Sequence, residues 1–286
     1  MTRVYFLPDD DIINPCWDNA FKAIFTKESP ESRGALSNLL SALIGEDLTV
    51  ISITANEPSI NSLGDKQIRY DITCKLADGR LVNVEMTINP KTYELVRIEY
   101  YVARLFASQE IRGGEKTYDD LSHTYQISVL VDAPVLKDDS MIHHFRYYDE
   151  ERRVSLNGRS HIITLELCKL KGIAGKPVKE MTKAERWASF LMYTTDKSKR
   201  ELINEILAEE EGIAMAGTVM LTISKDEAER ARLESEYKFI LDLQSGMVDA
   251  RREGRQEERE KWQAVVADKD AEIARLRARL GETYNR

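Results

Sequence analysis

Apolar positions along the first half of the chain recur with two different periods, and the changes between them mark the elements. Trp17, Phe21, Ile24 and Phe25 stand at helical spacing after Asn14-Pro15, and Pro30 ends that segment. A second helix is expected from near Ser32, where Leu36, Leu39, Leu40, Leu43 and Ile44 repeat the pattern until Gly45 stops it. Leu48 to Thr54 is apolar and rich in β-branched residues, a strand closed by Glu57, and Pro58 to Asp65 is a loop. Residues 69–88, RYDITCKLADGRLVNVEMTI, alternate as two short strands around Ala77-Asp78-Gly79. After the turn Asn89-Pro90-Lys91-Thr92, the spacing predicts a strong helix to about Ile111, with Leu95, Ile98, Val102, Leu105 and Phe106 as its buried stripe. Tyr125 to Asp132 reads as a buried strand, and Phe145–Tyr148 and Ile162–Leu167 as extra antiparallel strands at a sheet edge. The order is αα-β-β-β-α-β, an α/β core with a mixed sheet.

From Met181 the pattern turns helical. Trp187, Phe190, Leu191 and Tyr193, then Leu202, Ile203, Ile206 and Leu207, predict two packed helices. A long helix is expected from near Ser224, with Asp226 and Glu227 in its first turn, as the helix dipole prefers, and with Leu233, Tyr237, Ile240, Leu241 and Leu243 as its stripe. Further on, Trp262, Val266, Lys269, Ile273, Leu276 and Leu280 repeat at 4-3-4-3-4, a heptad seam, while the preceding RREGRQEEREK is too polar to bury. Two readings of this tail stay open, a coiled coil joining two chains into a homodimer, which is preferred, and a solitary helix. The division expected is 1–175 as an α/β domain, 176–248 as a helical region and 249–286 as a charged, coiled-coil helix.

The hairpin has two possible registers. A two-residue turn on Asp78-Gly79 sets Ile72 opposite Glu85, an apolar side chain against a charge. A three-residue loop, with Gly79 left-handed in a bulge, sets Leu76 opposite Arg80. Ile72, Cys74, Val82, Val84, Met86 and Ile88 then share one face. Asp71, Thr73, Lys75, Asn83, Glu85 and Thr87 share the other, with Leu81 the one apolar intruder. A slip of one residue would exchange these faces, so the three-residue loop is preferred. Asp71 then lies across from Glu85, with β-carbons roughly 5 Å apart, and such a like-charged pair repels unless a cation sits between. Mg²⁺, held through one or two carboxylates and otherwise by water and phosphate oxygens, suits the pair. Two solvated acids on an exposed face are the plainer alternative. On the following helix Arg97, Tyr101, Arg104 and Ser108 form a stripe beside the strand of Glu85, which either holds backbone phosphates or is a solvated face. Asp18 and Lys22, one turn apart, read first as an ordinary intrahelical ion pair.

Composition narrows the classes. A net charge of -8 over 286 residues argues against tight, sequence-independent coating of DNA, although it leaves room for a local basic groove. No stretch approaches the ~20 apolar residues of a membrane span, and MTRVYFLPDDD lacks a signal-peptide core. A cytoplasmic protein with no membrane attachment is expected. Cys16, Cys74 and Cys168 are odd in number and lack CxxC spacing, so they read as reduced thiols. His143-His144, His123 and His161 have no zinc-site spacing and read as surface or core residues.

Three blocks in order, DNAFKAIF (18–25), RYDITCKLADGRLVNVEM (69–86) and RIEYYVARLF (97–106), resemble the Rpn-type recombination-promoting nucleases, a transposase-like family of the PD-(D/E)XK nuclease superfamily. The resemblance spans roughly residues 14 to 170. It implies a restriction-endonuclease-like core and a DNA endonuclease in which Asp71, Glu85 and the carbonyl of Met86 hold one or two Mg²⁺ or Mn²⁺ ions. It also implies that Asp18 lies near the acids, either assisting the metal or positioning the fold. Beside those acids, Arg69, Arg97, Tyr101 and Arg104 are the residues expected to contact DNA. One departure matters. Thr87 stands where the family usually has Gln, and the superfamily Lys, to orient or activate the attacking water. A threonine offers a hydroxyl but no charge. Arg69, opposite Thr87 in this register, can supply charge but cannot act as a base near neutral pH. Weakened cleavage is therefore expected. Two other functions stay open: a nuclease-fold protein that binds DNA or a protein partner without cutting, and an assembly protein whose tail is the working part.

Overall fold

The structure is a computed structural model, and it describes residues 4–54, 70–109, 117–156 and 158–284. Helix α1 (Asp18–Thr26) buries Ala20, Phe21, Ile24 and Phe25. Pro30 does more than end α1: it is the first residue of α2 (Pro30–Ile44), where a missing N–H is harmless, and Ser29 caps that helix by accepting from the Ser32 amide at 3.1 Å. Gly45 closes α2 at φ 87°, a left-handed conformation that a glycine adopts without strain.

Strands β1 (Val50–Thr54), β2 (Ile72–Leu76) and β3 (Leu81–Thr87) pair antiparallel in succession, then α3 (Glu94–Ala107) crosses over to β4 (Thr124–Leu130), parallel to β3. β5 (Ile142–Phe145) and a small ribbon, β6 (Tyr148–Asp149) with β7 (Val154–Ser155), lead to β8 (Ser160–Glu166). The six-stranded sheet runs β1-β2-β3-β4-β8-β5. This is the mixed α/β core expected, with one correction at its end. β8 is not an antiparallel edge strand. It pairs parallel to β4 inside the sheet, and β5 takes the edge antiparallel to it. The sequence of β8, SHIITLE, explains this, because its last four residues are buried, as suits an interior parallel strand.

The sheet has unlike faces. Ile72, Cys74, Val82, Val84, Ile127, Val129, Ile163 and Leu165 join α1 and α2 in the main core, together with Trp187, Phe190, Ile203, Ile206, Ile213 and Met220. Those last residues lie on α4 (Lys183–Tyr193), α5 (Arg200–Glu209) and α6 (Glu211–Lys225). Helix α6 leaves no periodic signature in the sequence, because EGIAMAGTVMLTISK is apolar on most sides and shows little helical contrast. The opposite face, under α3, carries buried polar residues: Thr73, Asn83, Glu85, Gln126, Ser128 and Thr164.

Helix α7 runs Glu227–Tyr284. Leu233 of its expected stripe is buried, whereas Leu241 and Leu243 are exposed. By contact the chain forms two units, Met1–Leu233 and Glu234–Arg286. In the second unit Trp262, Val265, Val266, Ile273 and Leu276 are exposed. No helix among the described residues is long and apolar enough to cross a membrane.

Candidate active site

The hairpin adopts the three-residue register. Ile72 pairs with Val84, Thr73 with Asn83, Cys74 with Val82 and Lys75 with Leu81. The Leu76 amide donates to Arg80 O at 2.9 Å, and Gly79 sits at φ 91°. Continued one step past Ile72, that register sets Asp71 across from Glu85.

Each acid is held by the backbone of the other's strand. The Asp71 amide donates to Glu85 Oε1 at 3.0 Å, and the Met86 amide donates to Asp71 Oδ2, also at 3.0 Å. Asn83 Nδ2 adds a second donor to Glu85 Oε1 at 2.9 Å and reaches Gln126 Oε1 at 2.7 Å. Gln126 in turn donates to Ser128 Oγ at 3.2 Å. Both carboxyl groups are thus aimed by the sheet itself. They are also buried, with 7% of Asp71 and 4% of Glu85 exposed, which removes the alternative of two solvated acids.

Burial together with like charge raises both acids. Asp71 is pushed up to about 6, first by loss of water and then by Asp18, against the pull of Lys22 and the Met86 amide. Glu85 is pushed up to about 8, by loss of water and then by Asp71, opposed by Asn83, the Asp71 amide and Arg97. Tyr70 and Tyr101 are raised as well, by burial first and then by Glu85. The pair is an electrostatic load, and a cation relieves it.

One relieving cation belongs to the chain. Lys22 Nζ lies 2.9 Å from Asp71 Oδ1 and 3.0 Å from Asp18 Oδ2. The intrahelical pair expected of Asp18 and Lys22 is present, and the same lysine ties α1 to the acids. Asp18 therefore does come beside them. Sequence spacing finds the first contact of Lys22 but not the second, which joins residues far apart in the chain.

Thr87 is engaged on its other side. Arg97 Nη2 donates to Thr87 Oγ1 at 2.6 Å, and Arg97 binds Glu94 Oε1 through Nε at 3.1 Å and Nη2 at 2.5 Å. Glu94, absent from the sequence-based candidates, is 2% exposed, while Leu95, expected in the buried stripe, is 39% exposed. The stripe is shifted because Glu94, in the first turn of α3, turns inward to its arginine. Tyr101 lies under Arg97, 5.3 Å from guanidinium carbon to ring centroid, and packs edge-on against Tyr70, whose hydroxyl donates to Tyr101 O at 3.3 Å. Arg104 is half-buried on the same helix, near enough to the Tyr70 hydroxyl to oppose its upward shift. Arg69 lies outside the described residues.

Among the described residues, no three His, Cys, Asp or Glu side chains converge as a metal cage. The two carboxylates are instead hard oxygen donors, the kind that suits Mg²⁺ or Mn²⁺ retaining several waters. The cysteines are free thiols, Cys16 and Cys74 buried. His123 and His161, read from the sequence as surface or core residues, meet across β4 and β8 with Nδ1 and Nε2 2.9 Å apart. They lie by the start of those strands, at the opposite end from the acids.

Comparison with curated proteins and with solved structures finds no match for the chain. The model of one family, described as PD-(D/E)XK nuclease family transposase, matches residues 15–250, and the chain belongs to that family.

Proposed function

We propose that this chain is a metal-dependent DNA endonuclease, with Asp71, Glu85 and the Met86 carbonyl as ligands of Mg²⁺ or Mn²⁺. The observation that carries this reading is the cross-strand pair of buried acids, each aimed by an amide of the opposite strand. Such an arrangement is costly without a cation and serves no packing purpose that apolar residues would not serve better. The chemistry such an ion supplies is polarisation of the phosphodiester, acidification of water and neutralisation of the leaving oxygen. The protein's own part is positional. Asn83 and the Asp71 amide hold one oxygen of Glu85, the Met86 amide holds one oxygen of Asp71, and Lys22 with Asp18 closes the α1 side. Arg97, Tyr101 and Arg104 line the α3 side, where the phosphate backbone of DNA is expected to lie.

The deciding assay is cleavage of plasmid and linear duplex with Mg²⁺ or Mn²⁺, wild type beside Asp71→Ala and Glu85→Ala. The reading predicts cutting by the wild type alone. Cutting that survives both substitutions removes this site.

A second reading has its own support. Thr87 is spent on Arg97 and Glu94, and Lys22 already neutralises Asp71 in part, so a fold that binds DNA or a protein without cutting is consistent with the same contacts. Melting with and without millimolar Mg²⁺ separates the two, because an ion bound to the native state raises the melting temperature.

We infer also that the tail joins two chains. Exposed Trp262, Val266, Ile273 and Leu276 form most of one heptad seam. Lys269, in the same seam, turns to Glu272 at 2.8 Å.

A further inference from the structure

The acids concentrate negative charge at one end of β3, and a phosphodiester brings more. Hydrolysis there calls for a cation fixed in advance where charge develops on the phosphate. Lys22 is committed to Asp18 and Asp71. Arg97 is placed differently. Thr87 lies two residues beyond Glu85 on the same face of β3, so whatever its hydroxyl holds stands beside the acids. What it holds is Arg97 Nη2, at 2.6 Å.

The support for that arginine is more elaborate than packing needs. Glu94 takes Nε and Nη2 on a single oxygen, and the Thr87 hydroxyl points to that same oxygen at 3.3 Å. Glu94 is buried, while 31% of the Arg97 side chain remains exposed. An apolar residue at position 94 would seat α3 on the sheet at least as well, since a buried ion pair seldom outperforms a hydrophobic contact. The pair therefore aims a guanidinium. Its five donors in a fixed fork can serve Thr87, Glu94 and a phosphate oxygen together.

We propose that Arg97, propped on Thr87 and clamped by Glu94, binds a non-bridging oxygen of the scissile phosphate and stabilises the charge that builds there during hydrolysis. The proposal rests on the nuclease reading above. Arg97 keeps its proton throughout. Water adds its oxygen to phosphorus, the bond to the leaving oxygen breaks, and a proton from that water ends on the leaving oxygen, giving a phosphate monoester and an alcohol.

The test is single-turnover cleavage of a labelled duplex with Mn²⁺ by wild type, Arg97→Ala, Arg97→Lys and Thr87→Val, beside binding of the same duplex in Ca²⁺. Arg97→Ala is expected to slow the bound-state rate by about 10²–10³-fold, the usual loss of a pre-aimed donor. Arg97→Lys should lose at least about tenfold, because a compact ammonium cannot reach all three partners. Thr87→Val leaves the Arg97–Glu94 pair whole and should slow the rate about tenfold, one hydrogen bond's worth. It keeps the test valid should Arg97→Ala fail to fold. A wild-type rate in either Arg97 variant, or a loss confined to Ca²⁺ binding of DNA, overturns the proposal and leaves the nuclease reading standing. A wild type that cuts nothing overturns both.

Discussion

At Glu85, stability and the proposed chemistry pull in opposite directions. Its carboxyl is raised to about 8 and that of Asp71 to about 6, chiefly by burial, so the folded chain binds protons more tightly than the unfolded one, whose carboxyls titrate near 4. Between those values the native state holds more protons than the unfolded state, and stability falls as pH rises. Without metal, the melting temperature is therefore expected to drop from pH 5 to pH 8.5. The rise produced by Mg²⁺ or Mn²⁺ should grow over the same interval, because the ion binds the ionised pair. A metal-induced rise that is larger at pH 5 than at pH 8 would contradict this site. Glu85→Gln retains an oxygen for the Asp71 amide and removes one of the two charges. It should raise metal-free stability at pH 8 by about 1 kcal/mol or more, roughly 2–4 °C, while abolishing cleavage. A protein that gains stability when a site residue is neutralised is keeping that residue for function.

The hairpin β2–β3 converts a turn into a site. Gly79 sits at φ 91°, and a Cβ there would meet only Ser122 Oγ at 3.7 Å, an ordinary contact. The penalty of Gly79→Ala is then conformational, about 1–2 kcal/mol in urea unfolding. A different constraint governs α2 and α6. A Cβ on Gly212 would fall 2.1 Å from Asn38 Cβ, in the middle of a partly buried network where Asn38 binds Trp187 Nε1 at 2.7 Å and Glu210 at 2.8 Å. Gly212→Ala should therefore destabilise by about 2–4 kcal/mol, well beyond Gly79→Ala, and a cost below that of Gly79→Ala would show that the helices can part freely.

Across the whole chain the open question is how many copies act together. Two cuts in two strands suit two sites, and the proposed pairing through the tail would bring two sites together. Light scattering of the full chain is expected to give twice the 32.8 kDa of one chain. Ending the chain at Asp249, or placing Ser at both Trp262 and Ile273, is expected to return one copy. An unchanged mass in both would leave the heptad seam without a role in pairing. Cleavage of both strands in one encounter should fall along with the mass, while nicking of one strand persists.

Much of this molecule is local in its causes and so can be read along the chain. The αα-β-β-β-α-β order, the stop at Gly45 and the register of the hairpin follow from periods, caps and a left-handed glycine, each set within a few residues. The pairing of Asp71 with Glu85 is legible for that reason, since turn length alone decides which side chains face each other. Other features arise between elements that the sequence holds far apart, and only packing decides them. Lys22 meets Asp71 because α1 lies on the sheet, Glu94 turns inward because Arg97 and Thr87 await it, and His123 meets His161 because β8 enters parallel beside β4. Helix α6 is hidden for the converse reason, since a segment buried on most sides carries no contrast to read. Composition and periodicity assign the acids to one face; the tertiary fold buries them and brings up the cations that make their burial tolerable.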